Sequence, residues 1–159
     1  MKEEEKMEKK KGTKIITILF IILILLVVLG IIGALTEKKE PPLEIKIISM
    51  EVKDSIGGFK APYGKVFVDI FLRIEAKKKI VISPLHFHLI TKYGQLYEYD
   101  AFYTLFAYEP MGTITLLEGT YTYASIVFTI SDLDKNDLSK LIYNNPFENL
   151  KIEIELKKG

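Results

Sequence analysis

His86 and His88 are the only histidines of the chain, and their spacing comes closest to that of a metal site. On a β-strand, side chains at positions i and i+2 project from the same face, so two imidazoles would point the same way. Such a pair binds Zn or Cu when a carboxylate or a third nitrogen approaches it. The spacing supplies no third ligand. We therefore interpret both histidines as structural residues flanking Phe87 and Leu89, and we predict no metal and no cofactor.

A second group of residues suits binding rather than catalysis. Aromatic side chains are concentrated between Tyr93 and Tyr108, and the stretch from Asp100 to Met111 has the least regular pattern of the C-terminal part of the chain. Tyrosine combines apolar area with a polar tip, which suits binding surfaces and sugar stacking, and irregular segments carry function more often than regular ones do. We predict a ligand or partner surface formed by Tyr97, Tyr99, Phe102, Tyr103, Phe106 and Tyr108. The alternative is that these rings fill the core and cap the ends of the domain.

Two charged groups have simpler interpretations. Asp132, Asp134 and Asp137 are spaced loosely like a calcium loop but lack its central glycine and closing glutamate, so we interpret them as acids at the start of a helix. The run Lys77–Lys79 predicts a solvated hairpin tip, with contact to anionic lipid or cell-wall polymer as the alternative.

Several classes of function are disfavoured. The chain has no cysteine, which excludes disulfides, thiolate metal sites and a cysteine nucleophile. Its net charge of +1 gives no general attraction for nucleic acid, so we predict no nucleic-acid partner. No phosphate loop, dinucleotide fingerprint, nucleophile elbow or HExxH motif occurs. We predict that the protein is not an enzyme, while a dispersed carboxylate pair of the hydrolase type stays an open alternative.

The N-terminal region contains a long apolar segment from Ile15 to Leu35 without a charged residue. As a helix it would be roughly 31 Å long, close to the roughly 30 Å thickness of a bilayer's hydrocarbon core. We predict a transmembrane helix at residues 15–35, with the lipid bilayer as its partner. Two alternatives stay open: cleavage near Ala34 would release a secreted domain, and Lys11-Gly12 resembles the processing site of archaeal pilin precursors.

The lysines that flank this segment predict its orientation. More lysines precede the segment than follow it directly, where the chain has Lys38 and Lys39. An excess of lysine marks the cytoplasmic side of a membrane span. We therefore predict a single-pass protein of the cell membrane, held by an uncleaved signal-anchor. Its predicted parts are a cytoplasmic tail (1–14), the helix (15–35), a linker (36–42) and an extracytoplasmic domain (43–159). Abundant lysine and glutamate with a single glutamine indicate a thermophilic or archaeal source, with an AT-rich genome as the alternative.

The C-terminal region shows strand-type alternation. In Lys65–Ala76 one parity is wholly aliphatic, and Tyr121–Ile130 and Leu150–Leu156 alternate in the same way. Within Asp132–Asn145, the apolar residues Leu138, Leu141 and Ile142 have helical spacing and predict a short helix, with Asn136 or Asp137 as its cap. About seven short strands without β-α alternation predict an all-β fold, an antiparallel β-sandwich, with a small barrel as the alternative.

Three stretches in this order resemble a known family: Gly64–Ile70, the turn Tyr93–Tyr97, and Leu117–Gly119 leading into the strand that contains Phe128. The family consists of uncharacterised bacterial and archaeal extracytoplasmic domains, similar to secreted mycobacterial immunoglobulin-like antigens. The resemblance spans about residues 44–156 and implies an immunoglobulin-like sandwich that follows a lipoprotein signal or a single membrane helix. It implies no activity and no catalytic residue. This chain departs from the family pattern at Ala124, where a glycine is usual, and around Glu75–Lys77, where an asparagine is usual.

Together these features predict a membrane-anchored extracytoplasmic binding module whose partner is an unknown envelope protein or a cell-surface polymer. One alternative is a structural subunit of a surface filament or secretion apparatus. The other is an envelope hydrolase.

Overall fold

A computed structural model of the chain describes residues 20–27 and 41–156. The chain separates into two compact units, Met1–Glu40 and Pro41–Gly159. In the first unit, residues 20–27 form a helix, α1, with exposed side chains.

Within the two described stretches, no helix is both long and apolar enough to cross a membrane. Most of the span predicted at residues 15–35 lies outside the described residues, as do the predicted tail and most of the linker. The membrane span, its orientation and the two processing sites therefore stay predictions.

In residues 41–156, the second unit consists of strands of two to twelve residues with two 3₁₀ turns and one short helix. In chain order its strands and helix are β1 (Leu43–Lys53), β2 (Ser55–Ile56), β3 (Phe59–Lys60), β4 (Lys65–Ala76), β5 (Ile80–Ile82), β6 (Phe87–Thr91), β7 (Leu96–Glu98), α2 (Ala101–Thr104), β8 (Ile114–Leu116), β9 (Tyr121–Ser131), β10 (Leu138–Asn145) and β11 (Leu150–Glu155). The first large sheet has the order β1-β4-β9, and the second has the order β11-β10-β6-β7. Strand pairs in both sheets are antiparallel.

The two sheets pack face to face through the aliphatic side chains that the alternation predicts. In β4, the residues of one parity from Val66 to Ile74 are buried, and β9 buries Ala124, Ile126, Phe128 and Ile130. These residues form one apolar cluster with Phe87 and Leu89 of β6 and with Leu141 and Tyr143 of β10. The predicted antiparallel β-sandwich is thereby confirmed.

The helix predicted within Asp132–Asn145 is wrong, because Leu138–Asn145 is strand β10, which pairs with both β6 and β11. The register shifts between Leu138 and Lys140, as expected of a bulge with an extra residue. This shift places Leu138 and Leu141, three positions apart, opposite Thr91 and Leu89, which are both buried. The bulge therefore produces the same spacing as a helix.

The acids at the start of this segment also differ from the prediction. Asp132–Asp134 is a 3₁₀ turn, in which the hydroxyl of Ser131 accepts a hydrogen bond from the backbone N–H of Leu133. Asp137 does not cap a helix and instead forms a salt bridge with Lys92.

Candidate ligand surface on the first sheet

The polar groups of Asp100 anchor the segment of residues 100–111 to the edge of β9 that faces away from β4. The carboxylate of Asp100 caps α2 by accepting a hydrogen bond from the backbone N–H of Tyr103 at 3.1 Å, and it accepts another from the hydroxyl of Thr129 at 2.7 Å. The backbone N–H of Asp100 also donates to the carbonyl of Val127 at 2.7 Å. A single acidic residue thus fixes both the start of the helix and its position against the sheet.

The same edge of β9 is paired at two further points. The backbone N–H of Val127 donates to the hydroxyl of the buried Thr104 at 3.1 Å. The N–H of Ser125 donates to the carbonyl of Glu109 at 2.7 Å, and its carbonyl accepts from the N–H of Met111 at 2.9 Å. The segment therefore occupies this part of the edge as a short additional strand would.

Part of the outer face of the first sheet is covered by this segment. Phe67 and Val127, whose parity faces away from the sandwich core, are both fully buried. They form a second apolar cluster with Ile56, against which Tyr103 and Ala107 pack, and the rings of Phe67 and Tyr103 lie 4.4 Å apart. This cluster holds the 100–111 segment flat against the sheet.

The structure divides the six aromatic residues predicted as a ligand surface into two groups. Tyr97, Tyr99 and Tyr103 are partly buried and pack against the two apolar clusters. The hydroxyl of Tyr97 donates to Asp134, and both burial and this hydrogen bond raise the pKa of Tyr97. The exposed members are Phe102, Phe106 and Tyr108.

Two of the exposed residues form a compact group with Phe59 of β3, which we call the phenylalanine patch (Phe59, Phe102 and Phe106). The ring centroid of Phe59 lies 5.4 Å from that of Phe102 and 4.7 Å from that of Phe106. The centroids of Phe102 and Phe106 are 5.2 Å apart. All three side chains are between 40% and 52% exposed. The patch is thus an apolar surface held by mutual aromatic contacts.

Gly57, in the turn between β2 and β3, lies directly beneath this patch. It has a φ of +56°, and a Cβ atom placed there would lie only 2.5 Å from the Cβ of Phe106. Both the backbone conformation and the packing therefore require glycine.

We expect Gly57→Ala to lower the free energy of unfolding by about 1–3 kcal/mol, because the variant combines a strained φ with a backbone displacement at Phe106. Urea unfolding measures the change. Gly112→Ala is the matched control, since no atom lies within 4 Å of a Cβ at that position. Equal stability of the two variants would contradict the described contact between the turn and Phe106.

Tyr108, the third exposed residue of the predicted set, belongs to a different group, which we call the tyrosine pocket (Phe71, Tyr108, Tyr121 and Tyr123, together with Glu109 and Thr122, which also line it). This surface cavity has a volume of about 370 Å³. The rings of Phe71 and Tyr123 are nearly parallel, with centroids 5.8 Å apart. Tyr108 and Tyr121 each meet this pair edge-on, at centroid distances of 5.8 Å and 5.7 Å.

Sequence reasoning did not place Phe71, Tyr121 and Tyr123 in the ligand surface, although a signal was present. In β9 the residues Tyr121 and Tyr123 have the parity opposite to the aliphatic core residues, and Phe71 has the same outward parity in β4. Tyr108 lines the same pocket only because the 100–111 segment folds back onto β9. No local sequence pattern predicts that contact.

Charged pairs lie next to the tyrosine pocket on the outer face. The guanidinium carbon of Arg73 lies 4.7 Å from the centroid of the Tyr121 ring, and its Nη2 forms a salt bridge of 2.8 Å with Glu75. A hydrogen bond from the ammonium of Lys77 and the charge of Arg73 lower the pKa of Glu75, so this carboxylate is ionised at neutral pH. The hairpin predicted at Lys77–Lys79 is wrong, because this run connects β4 to β5, and these two strands pair with different partners in separate sheets. Its first lysine, Lys77, instead folds back onto Glu75 of the first sheet.

The two histidines lie away from this face, His88 in β6 of the second sheet and His86 in the turn that precedes β6. His86 ends the 3₁₀ turn Pro84–His86, and His88 lies in β6 opposite Glu98 of β7. The Nδ1 atoms of both histidines are buried and have no hydrogen-bond partner among the described residues. Residues 20–27 and 41–156 contain no group of three or more histidine, aspartate or glutamate side chains that could hold a metal ion.

We expect His86 to make the stability of the domain depend on pH. Burial, together with the nearby His88, lowers the pKa of His86 below its ordinary value of 6.5. When the pH falls to about 6.5, His86 therefore binds a proton in the unfolded chain, while it stays neutral in the folded domain. The contribution of His86 is fully present above pH 6.5 and is lost as the pH falls through the lower pKa of the folded state.

Urea unfolding at pH 7.5 and pH 5.5 tests this dependence. We expect the free energy of unfolding of the wild-type protein to be lower at pH 5.5 than at pH 7.5, with a pH dependence that corresponds to the uptake of less than one proton on unfolding. We expect the decrease to be smaller for His86→Gln. This window keeps the carboxylates largely ionised. An identical loss in the wild type and in His86→Gln would rule out His86 as the source.

Comparison with known proteins supports the fold and leaves the family open. No protein-family model and no curated protein matches the chain. Among solved structures, it is similar to MPT63, a secreted protein of Mycobacterium tuberculosis, at 16% sequence identity and a TM-score of 0.53, over 72% of this chain and 82% of that one.

A second similar structure is ycdA, a candidate lipoprotein of Bacillus subtilis, at 13% identity and a TM-score of 0.52 over 76% of this chain. The match spans only 38% of the length of ycdA. At these identities the two likenesses show a shared fold alone. The predicted resemblance to secreted mycobacterial proteins is confirmed at that level.

Proposed function

We propose that this protein is a non-enzymatic binding module displayed outside the cytoplasm and anchored in the membrane by its N-terminal apolar segment. The observation that carries the proposal is the display of large exposed aromatic side chains on β9 of the first sheet and on the segments that pack against the outer face of this sheet. Tyr108, Tyr121 and Tyr123 are each at least 45% exposed, and the phenylalanine patch is exposed to a similar degree. Apolar surface of this kind, rimmed by charged residues, is typical of interaction sites.

The rigidity of this surface supports a binding function. Phe71, Tyr121 and Tyr123 project from two long paired strands, β4 and β9, whose opposite faces form the sandwich core. The 100–111 segment, which presents Phe102, Phe106 and Tyr108, is fixed by hydrogen bonds to the edge of β9. A ligand that contacts these rings therefore meets groups that are already ordered, which lowers the entropic cost of binding.

The location is supported by the N-terminal sequence and by the proteins of similar fold. The apolar segment is long enough to span a bilayer, and the excess of lysines before it favours a cytoplasmic N-terminus. Of the two similar structures compared above, MPT63 is a secreted protein and ycdA is a candidate lipoprotein. An anchored domain of this kind searches only a thin layer next to the membrane, which raises its effective concentration for a partner in the envelope.

The topology is tested with single cysteines, because the natural chain contains none. In intact cells that produce the full chain, a membrane-impermeant maleimide should label Lys79→Cys, whose position is exposed in the second unit. Lys2→Cys should react only after permeabilisation. The opposite pattern would place the domain in the cytoplasm and refute the proposed location.

The binding function is tested by capture from solubilised cell envelope with residues 36–159 as bait. We expect the wild-type domain to retain an envelope protein or polymer. The double variants Tyr121→Ala/Tyr123→Ala and Phe102→Ala/Phe106→Ala show which aromatic group is responsible. Turnover of a small molecule without retention of any partner would contradict the proposal. Processing at Gly12 and failure to extract a monomer would instead favour a filament subunit.

A further inference from the structure

We propose that the tyrosine pocket binds a β-1,4-linked saccharide, so that the ligand of the module is an envelope glycan. This inference rests on the proposed binding function and names the chemistry of its ligand. The pocket volume of about 370 Å³ lies within the range of small-ligand sites, about 300–1,000 Å³.

The arrangement of the rings suits the flat face of a pyranose. Phe71 and Tyr123 are inclined to each other by only 21°, with centroids 5.8 Å apart, and form a stacked pair in the lining of the pocket. Tyr108 is inclined by 61° to Phe71, and Tyr121 by 82° to Tyr123, so the pocket is lined by aromatic rings in more than one orientation. A β-linked pyranose with equatorial substituents presents a face of C–H groups, which carry the partial positive charge that the negative face of an aromatic ring attracts.

Groups beside the rings can bind the hydroxyls around such a sugar. Arg73 stacks on Tyr121 and offers guanidinium N–H donors, while its partner Glu75 offers a carboxylate acceptor. Both side chains keep some exposure, 27% and 23% respectively, so they remain accessible to a ligand. Glu109 lines the pocket and supplies a second carboxylate. Pairs of planar donors and acceptors around an apolar platform match the polar edge and apolar face of a sugar ring.

The pairing of β9 disfavours the main alternative, an extended peptide. A peptide recognised by strand addition needs a free sheet edge that offers backbone hydrogen bonds. Next to the pocket, the backbone groups of Ser125 are already bonded to Glu109 and Met111, and those of Val127 are bonded to Asp100 and Thr104. A peptide therefore cannot pair with β9 at Ser125 and Val127, whereas the aromatic and charged side chains that a saccharide would contact are accessible.

Titration of the full chain with chitotetraose and cellotetraose tests the inference. The protein is kept in a detergent with a zwitterionic headgroup, because a sugar headgroup would compete for the pocket. We expect at least one of the two tetrasaccharides to bind with a dissociation constant on the order of 0.1–1 mM, measured by calorimetry. Failure of both to bind to folded protein would overturn the inference.

Variants show whether binding occurs at the pocket. We expect Tyr121→Ala and Tyr123→Ala each to weaken binding at least about tenfold, and Tyr121→Phe to retain most of it because the ring face is preserved. Tyr93→Ala is the matched control, since Tyr93 is also exposed but follows β6 in the second sheet. Equal binding by Tyr121→Ala and Tyr93→Ala would overturn the assignment to this pocket.

The two proposals can fail separately. If the envelope capture retains a protein through Tyr121 and Tyr123 while neither tetrasaccharide binds, the saccharide inference is wrong and the binding function stands. If nothing is captured and no saccharide binds, both proposals are wrong.

Discussion

Replacement of Phe67 by alanine should lower the free energy of unfolding by about 3–5 kcal/mol, the range typical of large-to-small changes at buried phenylalanines. Phe67 faces away from the sandwich core, yet it has no exposed surface, because Tyr103 and Ala107 of the 100–111 segment cover it. The substitution removes the aromatic contact with Tyr103 at 4.4 Å and leaves a cavity under the segment. Urea unfolding of the second unit measures the effect.

Phe102→Ala is the matched control, because it makes the same chemical change at a side chain that is 52% exposed. We expect it to cost well under half as much as Phe67→Ala. If the two variants proved equally stable, the docking of the 100–111 segment onto the sheet would be wrong. Hydrogen exchange adds a local test, since Phe67→Ala should speed exchange at the backbone N–H of Val127, which donates to Thr104 of that segment.

Replacement of Leu141 by alanine should cost about 2–5 kcal/mol. Leu141 is fully buried in β10, opposite Leu89 of β6 and Ile154 of β11, and it belongs to the main core cluster. Its loss therefore leaves a cavity in the middle of the second sheet, where two neighbouring strands limit relaxation.

Leu133→Ala provides the comparison, because Leu133 lies eight positions earlier in the same region of the chain but is 87% exposed in the 3₁₀ turn. We expect it to change stability by less than about 0.5 kcal/mol. A small effect of Leu141→Ala would mean that residues 138–145 do not form a central strand.

The main strands were predictable because their signal is local. In β4, and in β9 from Ala124 onward, every second residue is apolar, and this period of two is typical of a strand with one buried face. The same alternation indicated the direction of the outward residues, including Phe71, Tyr121 and Tyr123. It did not indicate how much of that outward face would be covered.

Strand β10 was mistaken for a helix for a specific reason. The bulge between Leu138 and Lys140 adds one residue, so two inward-facing leucines are separated by three positions instead of two. In a short segment this spacing is indistinguishable from one turn of a helix. Only the partners on both sides, β6 and β11, require an extended conformation there.

In the candidate ligand surface, too, the sequence predicted the region, whereas only tertiary contacts decided which single residues are exposed. Aromatic richness between residues 93 and 108 was visible in the sequence, but it did not distinguish the partly buried Tyr97 and Tyr103 from the exposed Tyr108 and Phe102. The distinction depends on contacts between distant residues, such as the hydrogen bond that Thr129 donates to Asp100 across 29 positions.

Composition and periodicity by themselves determined an all-β domain with an aliphatic core, because both follow from which residues avoid water along each strand. The pairing of the strands into two sheets then decided for the sandwich and against a barrel. The tertiary structure alone decided which aromatic rings are exposed, and it brought Tyr108 next to Phe71 and Tyr123 to complete the tyrosine pocket. That outcome depends on a segment folding back onto the edge of β9, and a contact made at such a distance along the chain leaves no period in the sequence.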